Sequence, residues 1–145
     1  MKKLILLFTL AIASLSCSKS DDDNSEKQLT PNFENMVGDW KFTSVIRPDG
    51  TIDPYIGTCS TKDDHAVIIY NTKITTYIHN VSCSFQSDPC DNYYFDGNRI
   101  INCLEVFNNA RVTSLTSTTM KIEYDNPRYF GPIIGAGAKG IIFTK

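Results

Sequence analysis

Residues 120–124, Met-Lys-Ile-Glu-Tyr, alternate apolar and charged side chains at every step. Met120, Ile122 and Tyr124 face one way and Lys121 and Glu123 the other, which is the period of two that gives a β-strand one buried and one wet face. Runs of the same kind occupy 40–46, 66–70, 74–81, 92–95, 99–104, 110–115 and 140–144. Turn chemistry separates them at Pro48-Asp49-Gly50, Asn71-Thr72, Asp96-Gly97-Asn98, Asn108-Asn109 and Ser117-Thr118. Only 31–36 has room for a short helical turn. The expectation is an all-β domain of eight strands in an up-and-down antiparallel meander. An eight-stranded meander removes its exposed edges by closing into a barrel, whose interior holds packed side chains or one small ligand. A two-layer sandwich has the same periodicity.

Upstream the composition changes twice. Lys2 and Lys3 precede the apolar run Leu-Ile-Leu-Leu-Phe-Thr-Leu-Ala-Ile-Ala, which ends in small residues before Cys17, the pattern of a secretory signal over 1–16. That run is too short for a membrane-spanning helix. Ser14-Leu15-Ser16-Cys17 resembles a bacterial lipoprotein lipobox of the relaxed kind seen in Bacteroidota-type lipoproteins, with Ser14 in the place usually held by leucine. The resemblance implies cleavage before Cys17 and acylation of its thiol, so membrane lipid is the first expected partner. Several acyl chains on one residue make release very slow, since each buried methylene contributes ~0.8 kcal/mol. The acidic run Lys-Ser-Asp-Asp-Asp that follows looks like an export tag for the outer face of the outer membrane, or a solvated linker. Residues 17–31 are expected to be a disordered tether reaching on the order of 45 Å.

Cleavage before Cys17 removes two lysines and leaves 12 basic and 16 acidic residues, a balance that does not attract nucleic acid. Residues 32–145 are one domain by length. With Cys17 assigned to lipid, Cys59, Cys83, Cys90 and Cys103 form an even set in an exported chain, the arithmetic of two disulfides. Their spacing contains no C-x-x-C pair and no histidine at a ligand interval, which argues against zinc.

Gly38-Asp39-Trp40, heading the first strand and followed by Lys-Phe-Thr-Ser-Val, matches the G-x-W motif that opens lipocalins. The stretch 32–145 resembles the short lipocalin-like domains of bacterial lipoproteins. The resemblance implies a lipocalin-like barrel with Gly38 and Trp40 at its base, and a basic side chain stacked on Trp40, with Lys139, Lys145 and Arg99 as candidates. In such a meander all four cysteines are expected at one end. All three pairings are sterically open; strand adjacency favours Cys59 with Cys83 and Cys90 with Cys103, which suits the family's habit as well.

Sites for chemistry are few. Gly135-Ala-Gly-Ala-Lys-Gly140 spells G-x-G-x-x-G but lacks the following helix and ribose-binding acid of a dinucleotide site, so no cofactor is expected. Asp63, Asp64 and His65 are neighbours whose side chains would point apart on a strand, and His79 alternates with Tyr77 and Val81. No serine has a nucleophile-elbow context, and the expectation is a protein that is not an enzyme. The favoured reading is a surface lipoprotein binding a small apolar or amphipathic ligand, with Phe42, Tyr77, Met120, Ile122, Tyr124, Tyr129 and Phe130 as candidate contacts and the connection 126–139 near the barrel's mouth. Phe42, Met120, Ile122, Tyr124 and Phe143 all pointing inward would nearly fill the interior. The alternatives are a structural subunit contacting another surface protein, or a hydrolase inhibitor using the segment 84–90 as a rigid loop.

Overall fold

A computed structural model describes residues 26–70, 73–103, 105–130 and 137–145. The signal segment, Cys17 and the acidic run lie outside the described residues. Among those described, no helix is long and apolar enough to cross a membrane.

The fold is all-β and antiparallel. After one helical turn, α1 (Phe33–Met36), come β1 (Gly38–Ile46), β2 (Ile52–Pro54), β3 (His65–Ile69), β4 (Lys73–His79) and β5 (Phe85–Asp91). They are followed by β6 (Tyr94–Asp96), β7 (Arg99–Ile101), a 3-10 turn at Glu105–Phe107, β8 (Arg111–Leu115), β9 (Thr119–Arg128) and β10 (Ala138–Thr144). Nine strands pair in the order β5-β4-β3-β1-β10-β9-β8-β7-β6, and β2 pairs β1 beside that path. The up-and-down meander is therefore present, curled into a half-barrel around one apolar core. Its two end strands are consecutive in the chain and joined through Asn92 and Tyr93, but they do not pair with each other. Asn92 sits at φ 58, a left-handed conformation asparagine tolerates, and there the chain gives up pairing with β4 and goes on to pair with β7.

The strand list differs from the sequence reading in two places that matter. β2 is too short for a two-residue period to show. Residues 84–90, expected as a loop, are nearly all strand, with β5 matched to β4 from His79↔Phe85 to Lys73↔Asp91. Pro89 and the polar residues Gln86, Ser87 and Asp88 hid it; a proline is tolerated in β5 because β5 is an edge. That correction removes the rigid inhibitory loop.

It also relocates the cysteines. The disulfides are Cys59–Cys83 and Cys90–Cys103, the pairing strand adjacency favours. They do not share one end. Cys83 lies two residues before β5, whereas Cys90 is paired with Ile74 near its far end, roughly 23 Å away at the rise of an extended strand. One crosslink ties the segment before β3 to the β4–β5 turn; the other spans the gap between β5 and the exit of β7.

The end carrying Gly38, Ile74 and Cys90 is the base, and it is closed by local chemistry. Asn32 caps α1 by accepting from the Asn35 amide at 2.8 Å, and the carbonyl at its last residue, Met36, accepts the Trp40 indole N–H at 2.7 Å. Trp40 is fully buried, and the Lys145 ammonium stands 4.4 Å from its ring centroid. Of the three basic candidates, Lys145 makes the stack; Lys139 donates to the Asp125 carbonyl and Arg99 pairs with the Asp125 carboxylate. Gly38 lies beneath that lysine with a φ of +147, a backbone conformation that side-chain-bearing residues rarely adopt.

Residues 26–30 depart from the expected free tether. The Leu29 amide donates to the Leu115 carbonyl at 2.7 Å. Glu26 accepts from the hydroxyls of Thr116, Ser117 and Thr118, which hold its carboxyl below the usual range. The chain thus reaches the domain along the β8–β9 turn, at the base.

Candidate functional site

Toward the mouth, the end opposite Trp40, the core gives way to a cavity of about 230 Å³. Its apolar walls are Phe42 from β1, Ile78 from β4, Val106 from the 3-10 turn and Phe130 beyond β9. Polar groups are interleaved: Thr76 from β4, Gln86 and Asp88 from β5, Glu105 and the Tyr55 ring. The period of two explains the inward row, since Gln86, Asp88 and buried Cys90 lie on one face of β5, and Thr76 and Ile78 on the matching face of β4.

One wall of this cavity hangs on a buried carboxylate. Asp64, 2% exposed, accepts from the His79 amide at 2.6 Å and lies 2.9 Å from His79 Nδ1 with the same oxygen. Its other oxygen accepts the Tyr55 hydroxyl at 2.6 Å. The Thr58 hydroxyl donates to the His79 carbonyl. Burial first, then the bond to Asp64, pushes the Tyr55 phenol up. Together with Cys59–Cys83, these contacts fasten the segment between β2 and β3 over the ends of β3 and β4. The Tyr55 ring rests 5.1 Å from that of Phe42.

The residues singled out in the sequence disperse over this architecture. Phe42 and Phe130 meet in the cavity. Met120 and Ile122 are fully buried in the core, as is Phe143, so they present no surface to a ligand. Tyr124 is buried with its hydroxyl donating 2.7 Å to the Val106 carbonyl, its ring beside Phe130 and under the Arg128 guanidinium. Tyr129 is 68% exposed. Tyr77 is on the outer face, stacked on His65 at 4.9 Å and edge-on to Phe85 at 5.6 Å, away from the cavity. Phe42, Met120, Ile122, Tyr124 and Phe143 are all buried, and with Trp40 and Phe107 they fill the interior below the mouth. Space for a ligand is therefore shallow.

The connection 126–139 is also shorter than expected, because β9 continues to Arg128, which pairs with Ala138. Part of the glycine motif lies outside the described residues. Gly140 is inside β10, where a Cβ would stand 2.4 Å from the Ile122 carbonyl oxygen, so that glycine serves strand packing. Among the described residues no cluster of histidine, cysteine and carboxylate side chains is arranged to hold a metal.

Sequence reasoning missed Asp64 as a structural centre and Gln86, Asp88, Glu105 and Val106 as cavity wall. Recognising 85–91 as an edge strand would have placed Gln86 and Asp88 beside Thr76 and Ile78. Nothing local marks Glu105, whose φ of 45 is unusual for a side chain of its kind. Compared with protein-family models, with curated proteins and with solved structures, the chain matches none.

Proposed function

We propose that this protein is a lipocalin-like lipoprotein, anchored in the outer membrane through acylated Cys17 and facing the cell exterior, that binds one small amphipathic molecule in the mouth cavity. The observation that carries the reading is the lining of that cavity, where Phe42, Ile78, Val106 and Phe130 alternate with Tyr55, Thr76, Gln86, Asp88 and Glu105. Polar groups converging among apolar walls are a usual feature of a ligand site. Its size sets the scale: a cavity of roughly 150 Å³ takes benzene, so 230 Å³ suits one substituted ring or a short chain with a head group. The packed interior argues against a long acyl cargo. Docking of residues 26–30 at the base supports a tether that leaves the mouth pointing away from the lipid.

A non-catalytic role in a surface protein assembly is the second reading, and one observation favours it. The outer face of β3, β4 and β5 carries His65, Tyr77 and Phe85 in ring contact, with Phe85 59% exposed. Native mass spectrometry of protein extracted from its own membrane separates the two, because a retained small molecule and a retained partner add different masses. The same spectrum reports the acyl chains. Cleavage elsewhere than before Cys17, or an unmodified cysteine there, overturns the anchor.

A further inference from the structure

Around the mouth cavity hydrogen-bond acceptors outnumber donors. The two charged side chains in the lining, Asp88 on β5 and Glu105 on the 3-10 turn, are both carboxylates, and among the described residues no lysine or arginine lines the cavity. They approach it from the two sides of the gap between β5 and β7. Elsewhere in the domain five carboxylates meet Lys or Arg cations, Asp63 with Lys41, Asp53 with Arg47, Asp91 with Lys73, Asp125 with Arg99 and Glu123 with Lys121, while among the described residues Glu34, Asp39 and Asp96 on the outer surface do not. Among the described residues neither Asp88 nor Glu105 has such a partner. Tyr55 has already donated its hydroxyl proton to Asp64, so its oxygen is left as an acceptor. Thr76 and Gln86 add an acceptor oxygen each, beside the hydroxyl and amide donors they also carry. The rings of Phe42, Phe130 and Tyr55 are electron-rich faces for a cation.

We infer that the mouth cavity selects small organic cations, with an ammonium head between Asp88 and Glu105 and a single ring or short alkyl body against Phe42, Ile78, Val106 and Phe130. The inference rests on the reading of this cavity as the ligand site and adds the charge of its ligand. An anionic head would meet two like charges and no donor from a basic side chain; a neutral one would leave both carboxylates uncompensated beside an apolar body. An ammonium satisfies both and donates to Tyr55.

The test uses the purified mature protein and three probes of matched size: phenethylamine, 2-phenylethanol and 3-phenylpropionate. Binding is followed by chemical-shift perturbation, with Phe42, Ile78 and Phe130 as reporters. The amine is expected to bind about tenfold more tightly than the alcohol, and the carboxylate not to bind. In the double variant Asp88→Asn, Glu105→Gln the amine's advantage is expected to fall to about twofold while the alcohol's affinity holds. Neither side chain has a partner among the described residues, so an unchanged melting curve checks that the variant stays folded. Equal binding of the amine and either other probe overturns the cation inference but leaves the mouth as a ligand site. An amine preference that survives the double variant overturns the roles of Asp88 and Glu105. Failure of all three probes at ~10 mM overturns the ligand-site reading and the inference together.

Discussion

Asp64 and His79 are joined twice by one carboxylate oxygen, which takes the backbone amide of His79 at 2.6 Å and stands 2.9 Å from its Nδ1. An ionised carboxylate only accepts, so Nδ1 carries the proton in this contact. The pair fixes where β3 begins relative to where β4 ends. Asp64→Ala leaves the His79 amide and the Tyr55 hydroxyl without their acceptor in a buried place, and is expected to cost roughly 3 kcal/mol or more. Tyr55→Phe removes one bond and keeps the ring, for about 1 kcal/mol. Urea midpoints of the two variants check the order; equal midpoints would show that Asp64 is not the centre of this wall.

The two disulfides are expected to fail differently. Each closes a loop, of sequence separation 24 for Cys59–Cys83 and 13 for Cys90–Cys103, and loops of that size are stabilised by ~2 to 4 kcal/mol. Replacing Cys59 and Cys83 by serine should raise amide exchange in 55–64, which bears Tyr55, and weaken ligand binding. Replacing Cys90 and Cys103 should raise exchange in β5 and β6 instead, because that crosslink spans the gap where hydrogen bonding between strands is missing. Hydrogen exchange read by mass spectrometry distinguishes them, and the same protection pattern in both variants would contradict the placement at opposite ends of β5.

Tyr93 is 3% exposed, with its ring against Phe33 and Phe95, yet its hydroxyl is buried without a partner among the described residues. A buried unpaired hydroxyl costs about 1 to 3 kcal/mol, so Tyr93→Phe is expected to raise the melting temperature. Tyr124→Phe should lower it, since there the hydroxyl has the Val106 carbonyl to itself. Thermal melts of the two variants should move in opposite directions; a destabilised Tyr93→Phe would mean the hydroxyl is in fact satisfied.

Alkaline stability follows from the same phenols. Burial pushes Tyr93 up to about 12, and lifts Tyr55 and Tyr124 as well. A raised folded value means that the native state holds its phenolic protons more tightly than the unfolded chain, whose tyrosines titrate near ~10. The stabilisation is whole below that pH and is lost as pH rises through the folded values. The phenolate absorbance of these three tyrosines is therefore expected to appear together with loss of near-ultraviolet circular dichroism. A phenolate step from Tyr93 well before unfolding, identified by its absence in Tyr93→Phe, would contradict the burial.

The base of the domain was more legible in the sequence than the mouth. Gly38, Trp40 and the closing strand announce themselves locally: a glycine before a tryptophan, then a run of alternating residues. Lys145 emerged as the stacking cation only because β10 ends beside the start of β1, where Lys41 pairs Thr144. The mouth is assembled from pieces that are each unremarkable in sequence. Asp64 reads as one of two neighbouring aspartates, Gln86 and Asp88 as loop residues, and Glu105 as a residue between strands.

By itself the sequence determined the class of fold and raised the expectation of two disulfides, because alternation, turn chemistry and charge act over a few neighbouring residues and leave their period in the text. Only the tertiary structure decided that the two crosslinks sit far apart, that the interior is packed with aromatic and aliphatic side chains, and that the remaining space gathers two carboxylates. Those outcomes depend on register and on which strands end at the same level, and contacts between residues tens of positions apart leave no local pattern to be read.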